Sequence, residues 1–464
     1  VNDSTISDGA LANYYGQHPS YNYDSSIWYK MKVNVARAWE EGAMFLWNKI
    51  EPTKGNFTWE KADSYVAQNK AAGMDILGVL GYPSRWAAEQ PDPITDPRPG
   101  RWKPKSLDEW GNYVYQTVSR YKGKVKYWEI WNEVNFHPPY VAAAFSGSTD
   151  DYMNLLKTAY TQAKLADPNS QILISGFSSA DIPTADSIMP LTVTDAVYAS
   201  GYYDIYNVHG YHGAEHVKSW IDNLKVQQPG KKYWMSEYYS YTDPDPVRRT
   251  FDTLNSYISF LENGYEKYIN MGVPSDNNFI NRNTQSPTQV FQAIGVMQSN
   301  IRKTNSWVQK YSGFPNEADF SLKHLFSRAD GKYLSILGTE STSYDIYING
   351  TIDSVTDVYG NAITPTVTNN VSKIPTSNTV YIISSQPLQI NNVIRTSPEI
   401  TQFAKNGGFE EITGDPAAGG LESVTPTSWS LKATTYDPAG KIKVSGQSAS
   451  GNYAVSVKSS GQGR

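Results

Sequence analysis

The chain has 464 residues, 39% of them hydrophobic and 18% charged, with a net charge of −5. That balance excludes a disordered chain and disfavours a nucleic-acid partner, which calls for a basic face. No apolar run reaches the length of a membrane span, and the absence of cysteine excludes disulfides and thiolate metal sites. The absence of cysteine suits a secreted bacterial protein, and the opening VNDSTISDG has no basic and apolar leader, so any signal peptide has been removed or never existed; secretion is the expectation. Four N-x-S/T triplets, at Asn2, Asn56, Asn349 and Asn370, are open to glycosylation only in a eukaryotic secretory route. The 34 Tyr and 13 Trp stand out, many of them in polar, turn-rich company such as LANYYGQHPSYNYD and MSEYYSYTD. Flat rings among polar neighbours suit sugars, whose C–H faces stack on aromatic planes while their hydroxyls find polar partners.

From about residue 10 to 303, short apolar runs alternate with amphipathic helical patterns. ALANYYG reads as a strand, SSIWYKMK as a short helix and VNVARAW as the second strand. WEKADSYVAQNKAAG reads as a helix stopped at Gly73. DILGVLGY is the next strand. In SLDEWGNYVYQTVSRY, Ser106 and Glu109 have the spacing of a capping box, and Leu107, Trp110, Val114, Val118 and Tyr121 share one helical face. KYWEIWNE follows as a strand, then the helix DDYMNLLKTAYTQAKLAD and the strand QILISGF. YDIYNVHGY, KKYWMSE and YEKYINMGV are further strands, separated by AEHVKSWIDNL and PVRRTFDTLNSYISFLENG; SPTQVFQAIGVMQSNIRK is the last helix. About eight such units predict a (β/α)8 barrel over residues 1–303. A doubly wound open sheet is the alternative, but no glycine-rich phosphate loop accompanies it. Beyond Lys303, KYLSILGTESTSYDIYINGTIDSVTDVYGNAI alternates apolar and polar residues between turns, which predicts a β-sandwich over residues 304–392. Residues 393–464 are Ser/Gly-rich and strand-like, the front part of a further β module.

In such a barrel the chemistry sits at the C-terminal strand ends. Arg37, Asn132 with Glu133, His209 with Tyr211, and Glu237 occupy those ends, with Glu133 on strand four and Glu237 on strand seven. Two carboxylates about 5–5.5 Å apart support hydrolysis of a glycosidic bond with retention, one as nucleophile and the other as acid and then base. The acid needs a raised pKa, from burial or from the other carboxylate, and Trp128, Trp131 and Trp234 offer apolar walls for it. The nucleophile must stay ionised, which Arg37 and the Tyr211 hydroxyl would favour. A single strand-end Glu is more often a surface ion pair. Two of them, in WNE and WMSE, reverse that balance. His209, His212 and His216 in HGYHGAEH allow a metal reading, but their spacing does not fit a helix-borne H-E-x-x-H site, and no metal or cofactor is expected. No G-x-S-x-G elbow marks a serine hydrolase.

At these residues the sequence resembles clan A of the glycoside hydrolases, the retaining (β/α)8 enzymes. The resemblance implies that Glu133, after Asn132, is the acid/base and Glu237 the nucleophile. It implies that Tyr211 orients the nucleophile, that Arg37 is the strand-two arginine, and that Asn132 binds the 2-hydroxyl of the reacting sugar. WNKIEPTKGNFTWEKAD at 47–63 is similar to a stretch of several clan members, family 39 among them, and the sandwich is similar to family 39 and family 30 layouts. His137, Trp39, Trp86, Trp102 and Tyr239 follow strand ends and are implied to line sugar subsites. NGGFE, SWS and SGNYAVSVK resemble the opening half of a jelly-roll carbohydrate-binding module. The sequence departs from the clan in lacking a Trp after strand eight and in the longer spacing from Arg37 to Trp47. The expected partner is a polysaccharide or oligosaccharide, cut internally. A transglycosylase with the same intermediate and a non-catalytic sugar-binding protein are the competing readings. The sequence does not set the oligomeric state.

Overall fold

The computed structural model describes residues 7–18, 32–39, 43–90, 101–136, 144–178, 197, 200–211, 214, 217–238, 246–271, 286–340 and 343–396, together with four short strands beyond. Eight parallel strands form the first sheet: β1 Tyr15–Gln17, β2 Val35–Ala38, β3 Asp75–Leu80, β4 Tyr127–Ile130, β5 Gln171–Leu173, β6 Ile205–His209, β7 Lys232–Tyr238 and β8 Lys267–Asn270. Each pairs with its neighbours in chain order, β1 pairs with β8, and Leu173 of β5 pairs with Ile205 of β6. The sheet therefore closes into a barrel. Phe177–Ser178 prolongs the β5 edge alongside Val208 and His209.

Among the described residues six long helices flank the strands: α1 Glu60–Ala71, α2 Leu107–Arg120, α3 Thr149–Ala166, α4 Lys218–Gln227, α5 Pro246–Glu262 and α6 Gln289–Ile301. The region expected to form a strand at ALANYYG starts instead with a 3-10 turn, Ala10–Asn13, and only Tyr15–Gln17 is extended. SSIWYKMK lies outside the described residues except for Lys32. Helix α1 ends before Gly73, whose φ of 76° is the left-handed conformation that stops a helix. In α2 the Ser106 hydroxyl accepts from the Glu109 amide, but the Glu109 carboxylate pairs with Lys54 rather than completing the box. The full capping box belongs to α3, between Ser148 and Asp151. Trp110, Val114, Val118 and Tyr121 are buried as the periodicity predicts. Leu107, the first residue of α2, is instead 41% exposed.

Strand alternation sorts the barrel residues. Tyr127 and Glu129 point inward, Trp128 and Ile130 outward. Val35, Leu77, Leu173, Ile205, Trp234 and Ile269 fill the lower interior, so the floor is a packed apolar plug. Gly78 lets the outward Trp128 ring lie on β3; a Cβ there would sit 2.5 Å from it.

Two antiparallel sheets follow. One has the order β9 (Thr304–Lys310), β10 (Leu322–Arg328), β11 (Tyr333–Gly338), β16 (Thr379–Ser384), β13 (Ile352–Asp357). The other has β14 (Thr366–Thr368), β15 (Val371–Thr376), β12 (Tyr344–Asn349), β17 (Gln389–Arg395). Leu325, Leu337, Ile346, Ile348, Ile374 and Ile382 form the sandwich core, while Phe326, Leu334, Ile336 and Tyr381 join the barrel's core. The alternation seen in the sequence thus serves two interiors, one on each face of the five-stranded sheet. Compactness divides the chain after Ile394. In the second unit the described elements are two antiparallel pairs, Ile412–Thr413 with Thr425–Pro426 and Ile442–Ser445 with Ala454–Val457.

Candidate active site

At the C-terminal mouth of the barrel the apolar plug gives way to charge. Arg37, on β2, is fully buried, and every prong of its guanidinium is engaged. Nε donates to Glu129 Oε2 (2.7 Å) and Nη2 to Glu129 Oε1 (2.9 Å). Nη2 also donates to Asn132 Oδ1 (2.7 Å), and Nη1 to Glu237 Oε2 (2.7 Å). The surrounding carboxylates keep the guanidinium charged despite burial, which by itself opposes the charge. The second oxygen of Glu237, Oε1, accepts from the Tyr211 hydroxyl. Glu237 is 5% exposed at its side chain, so water solvates its charge very little and Arg37 and Tyr211 do most of that work.

Glu133 stands across the mouth from Glu237. It lies beyond the last residue of β4, on backbone turned into the left-handed region at Trp131 (φ 71°) and Glu133 itself (φ 48°). That turn lifts the carboxylate off the strand line and over the barrel. Burial raises its pKa from 4.5 to about 7, against the opposing influences of Arg37 and a hydrogen bond with Ser178. Its Oε1 lies 2.8 Å from His209 Nδ1. His209 is buried, and desolvation lowers its pKa to about 4, so the ring is neutral beside the acid. Its Nε2 packs against Gly176, where a Cβ would lie 2.0 Å away. One carboxylate oxygen of Glu133 and one of Glu237 lie within 4.8 Å of each other and of the same imidazole nitrogen, His209 Nδ1.

That trio has the reach of a cation site, but its donor atoms already serve one another. Glu237 is bound through both oxygens, one of them by a guanidinium, and His209 Nδ1 faces Glu133. A cation would have to displace Arg37's charge to bind. His212 and His216, the other members of the metal reading, lie outside the described residues.

The structure thus gathers Arg37, Asn132, Glu133, His209, Tyr211 and Glu237 in one mouth. Trp39 borders it, with its ring 5.4 Å from the Arg37 guanidinium and edge-on to Tyr82. Trp86 donates to Glu51 O and packs edge-on against Trp47, and Trp102 lies beside Arg101; none of these partners is a site carboxylate. His137 and Tyr239 lie outside the described residues. The apolar walls differ from expectation. Trp128 faces outward onto Phe45, and Trp234 lies in the barrel floor against Tyr127, so neither screens the acid. Trp131 packs on Tyr82 and Phe145. The influences on the half-buried Tyr82 include the charge of Glu133 and a hydrogen bond with Asn132.

Three residues of the cluster were missed in the sequence. Glu129 is the bidentate partner of Arg37 and also accepts from the Gly176 amide (3.1 Å). Its signal was legible: a carboxylate in mid-strand, on a strand buried on both faces, requires a cation. His18, just past β1, lies 3.0 Å from Ser236 O and 3.2 Å from Arg37 Nη1, and burial with Arg37's charge keeps it neutral. Asn135 exchanges two hydrogen bonds with the Ser178 backbone and ties the loop after β4 to the prolonged β5 edge.

Residues 33–196 match the family model of glycosyl hydrolase family 10. The chain is 27% identical over 143 residues to endo-1,4-beta-xylanase C of Paenibacillus barcinonensis, an alignment covering 28% of this chain and 13% of that one. It is 23% identical over 149 residues to endo-1,4-beta-xylanase A of Fusarium oxysporum, covering 32% and 43%. The chain thus spans less than half the length of either relative. Among solved structures, a family 39 glycoside hydrolase from Bacteroides cellulosilyticus WH2 superposes with a TM-score of 0.60 at 18% identity, covering 82% of both chains. A family 30 endoxylanase from Clostridium papyrosolvens C71 superposes with a TM-score of 0.57 at 14% identity, covering 82% and 98%. At such identities the likeness is one of fold: a (β/α)8 barrel followed by a β-sandwich.

Proposed function

We propose that this chain is a retaining glycoside hydrolase that cuts within a polysaccharide, with β-1,4-linked xylan the first substrate to test. The observation that carries the reading is the pairing of Glu133 and Glu237. Their nearest oxygens fall within 4.8 Å, too close to admit the water that an inverting enzyme places between its carboxylates at about 6.5–9.5 Å. Their surroundings also differ. Glu133 is held as an acid near neutrality, while Glu237 is gripped by a guanidinium.

In this mechanism Glu237 Oε attacks the anomeric carbon as the C–O bond to the leaving sugar breaks, and Glu133 gives its proton to the departing oxygen. A glycosyl ester on Glu237 results. Glu133, now ionised, takes a proton from water as that water attacks the same carbon and releases Glu237. Two inversions give net retention. Asn132 has its Oδ1 occupied by Arg37 and shares a hydrogen bond with Tyr82, which leaves one amide N–H to donate to a 2-hydroxyl. The xylanase names of two partial relatives favour a xylan backbone and internal cleavage.

Glu237→Gln should lose essentially all turnover, by on the order of 10^4-fold or more. Glu133→Ala should retain activity on substrates with activated leaving groups and recover with azide, giving a glycosyl azide of retained configuration. Normal rates in both variants would overturn the assignment. The same reading places the protein outside the cell, where a polymer is accessible, and assigns the segment after Arg395 to carbohydrate binding on the strength of its NGGFE, SWS and SGNYAVSVK pattern. Retention of the full chain on insoluble polysaccharide, with oligosaccharide competing at the barrel mouth, tests the second point; recovery of the activity from culture medium tests the first.

A further inference from the structure

At the end of the barrel opposite the carboxylates, the strand starts enclose a cavity of about 590 Å³, walled on one side by Trp307 of β9. Lys126, Lys232 and Lys267 line it beside Tyr127 and Trp234. Lys232 pairs with Glu266 at 3.0 Å, and Glu262, also at the cavity, is held by Lys310 at 2.8 Å. Among the described residues no carboxylate lies within ion-pair distance of Lys126 or Lys267. Each instead sits over an aromatic ring, Lys126 at 5.4 Å from Tyr127 and Lys267 at 5.9 Å from Trp234. The two rings pack against each other at 4.6 Å. Trp234 is 1% exposed, and its indole N–H has no acceptor among the described residues. Burial pushes the Lys267 ammonium down to about 8, opposed mainly by Asp75 and Glu266, and its one hydrogen bond goes to the Asn13 carbonyl.

Two cations without an ion-pair partner, beside a carbon-rich wall, lack one thing, an anion. We propose that this floor cavity is a second ligand site, taking the carboxylate and the ring face of a uronic acid unit in an acidic polysaccharide. The carboxylate accepts from Lys126 and Lys267, and the C–H face of the sugar lies along the aromatic wall that Tyr127 forms with Trp307. Gln171 and Ser306, both at the cavity, offer partners for hydroxyls. Inorganic phosphate would satisfy the lysines but leave most of the volume and the aromatic wall unused. The proposal takes only the polysaccharide class from the hydrolytic reading, since no catalytic group is involved.

The test is titration calorimetry on the full chain with methyl β-glucuronide, methyl β-glucoside and inorganic phosphate, for wild type, Lys126→Met and Lys267→Met. The glucuronide should bind at least about tenfold more tightly than the glucoside. Each methionine variant should lose about tenfold of that affinity while kcat/KM on a small chromogenic glycoside stays at the wild-type value. Lys126 is exposed at the start of β4, so its variant reads the charge even if Lys267→Met folds poorly. Equal binding of glucuronide and glucoside, displacement of the glucuronide by equimolar phosphate, or undiminished binding in Lys126→Met would each overturn the proposal. Absence of hydrolytic activity with intact glucuronide binding would instead sink the active-site reading and leave this one standing.

Discussion

Arg37 and Glu129 form a two-pronged buried ion pair, 2.7 Å from Nε to Oε2 and 2.9 Å from Nη2 to Oε1, which fixes the guanidinium plane and aims Nη1 at Glu237. Replacing Glu129 by Gln keeps the shape and leaves Arg37's charge without its main counter-ion. Breaking such a pair costs about 3–5 kcal/mol, readable by urea unfolding. Arg37 lowers the pKa of Glu133, so its freed charge should also move the alkaline limb of kcat/KM to lower pH. An unchanged limb would mean that Glu129 serves only packing.

With wild type, kcat/KM should fall as pH rises through about 7, as Glu133 loses the proton it must deliver. The folded pKa lies above the unfolded value of 4.5, so this carboxyl favours folding most below pH 4.5, and that contribution is lost as pH rises to about 7. Glu133→Gln should therefore gain stability relative to wild type between pH 5 and 8, by on the order of 2–3 kcal/mol at most. A parallel pair of stability curves would refute the shift.

His209 behaves in the opposite sense. Its folded pKa of about 4 lies below the unfolded 6.5, so the neutral ring's contribution is full above pH 6.5 and is lost as pH falls through 4. His209→Gln should be markedly less stable than wild type at pH 7, and the gap should narrow at pH 4.5. Chemical denaturation at the two values reads it directly.

Gly176→Ala would drive a Cβ to 2.0 Å from His209 Nε2, and the ring must move off Glu133. The expected cost is about 1–3 kcal/mol in stability, with a fall in kcat greater than any change in KM. Wild-type kinetics in this variant would show that the His209–Glu133 contact is dispensable.

The two glutamates were legible because each ends an apolar run with a charge, a pattern that local preference does not produce unaided. Arg37, His209 and Tyr211 followed from the same reading of strand ends. Glu129 escaped because it lies within a strand and a reading confined to strand ends passes over it, although a carboxylate in a strand buried on both faces calls for a cation. Strand parity decides the tryptophans: Trp128 and Glu129 are neighbours in sequence and face opposite sides of the sheet. Leu107 fits the helical period yet lies at 41% exposure, since periodicity assigns a residue to a face but not to a packing partner at the helix end. Glu109 has the spacing for a capping box, but a lysine fifty-five positions earlier in the chain competes for its carboxylate. Long-range competition of that kind has no local signature.

Trp131, Glu133 and Tyr82 all hold positive φ angles, 71°, 48° and 54°, although none is glycine. Conformations of this kind cost on the order of 1–3 kcal/mol each, so the rim of the mouth is wound like a spring that the rest of the barrel keeps set. Glycine at position 131 or 82 would release that strain but would also remove the buried Trp131 indole or the Tyr82 ring packed on it, so the same side chains that carry the strain keep the spring set. With either ring gone the rim loses the packing that holds it, and the acid drifts from its post.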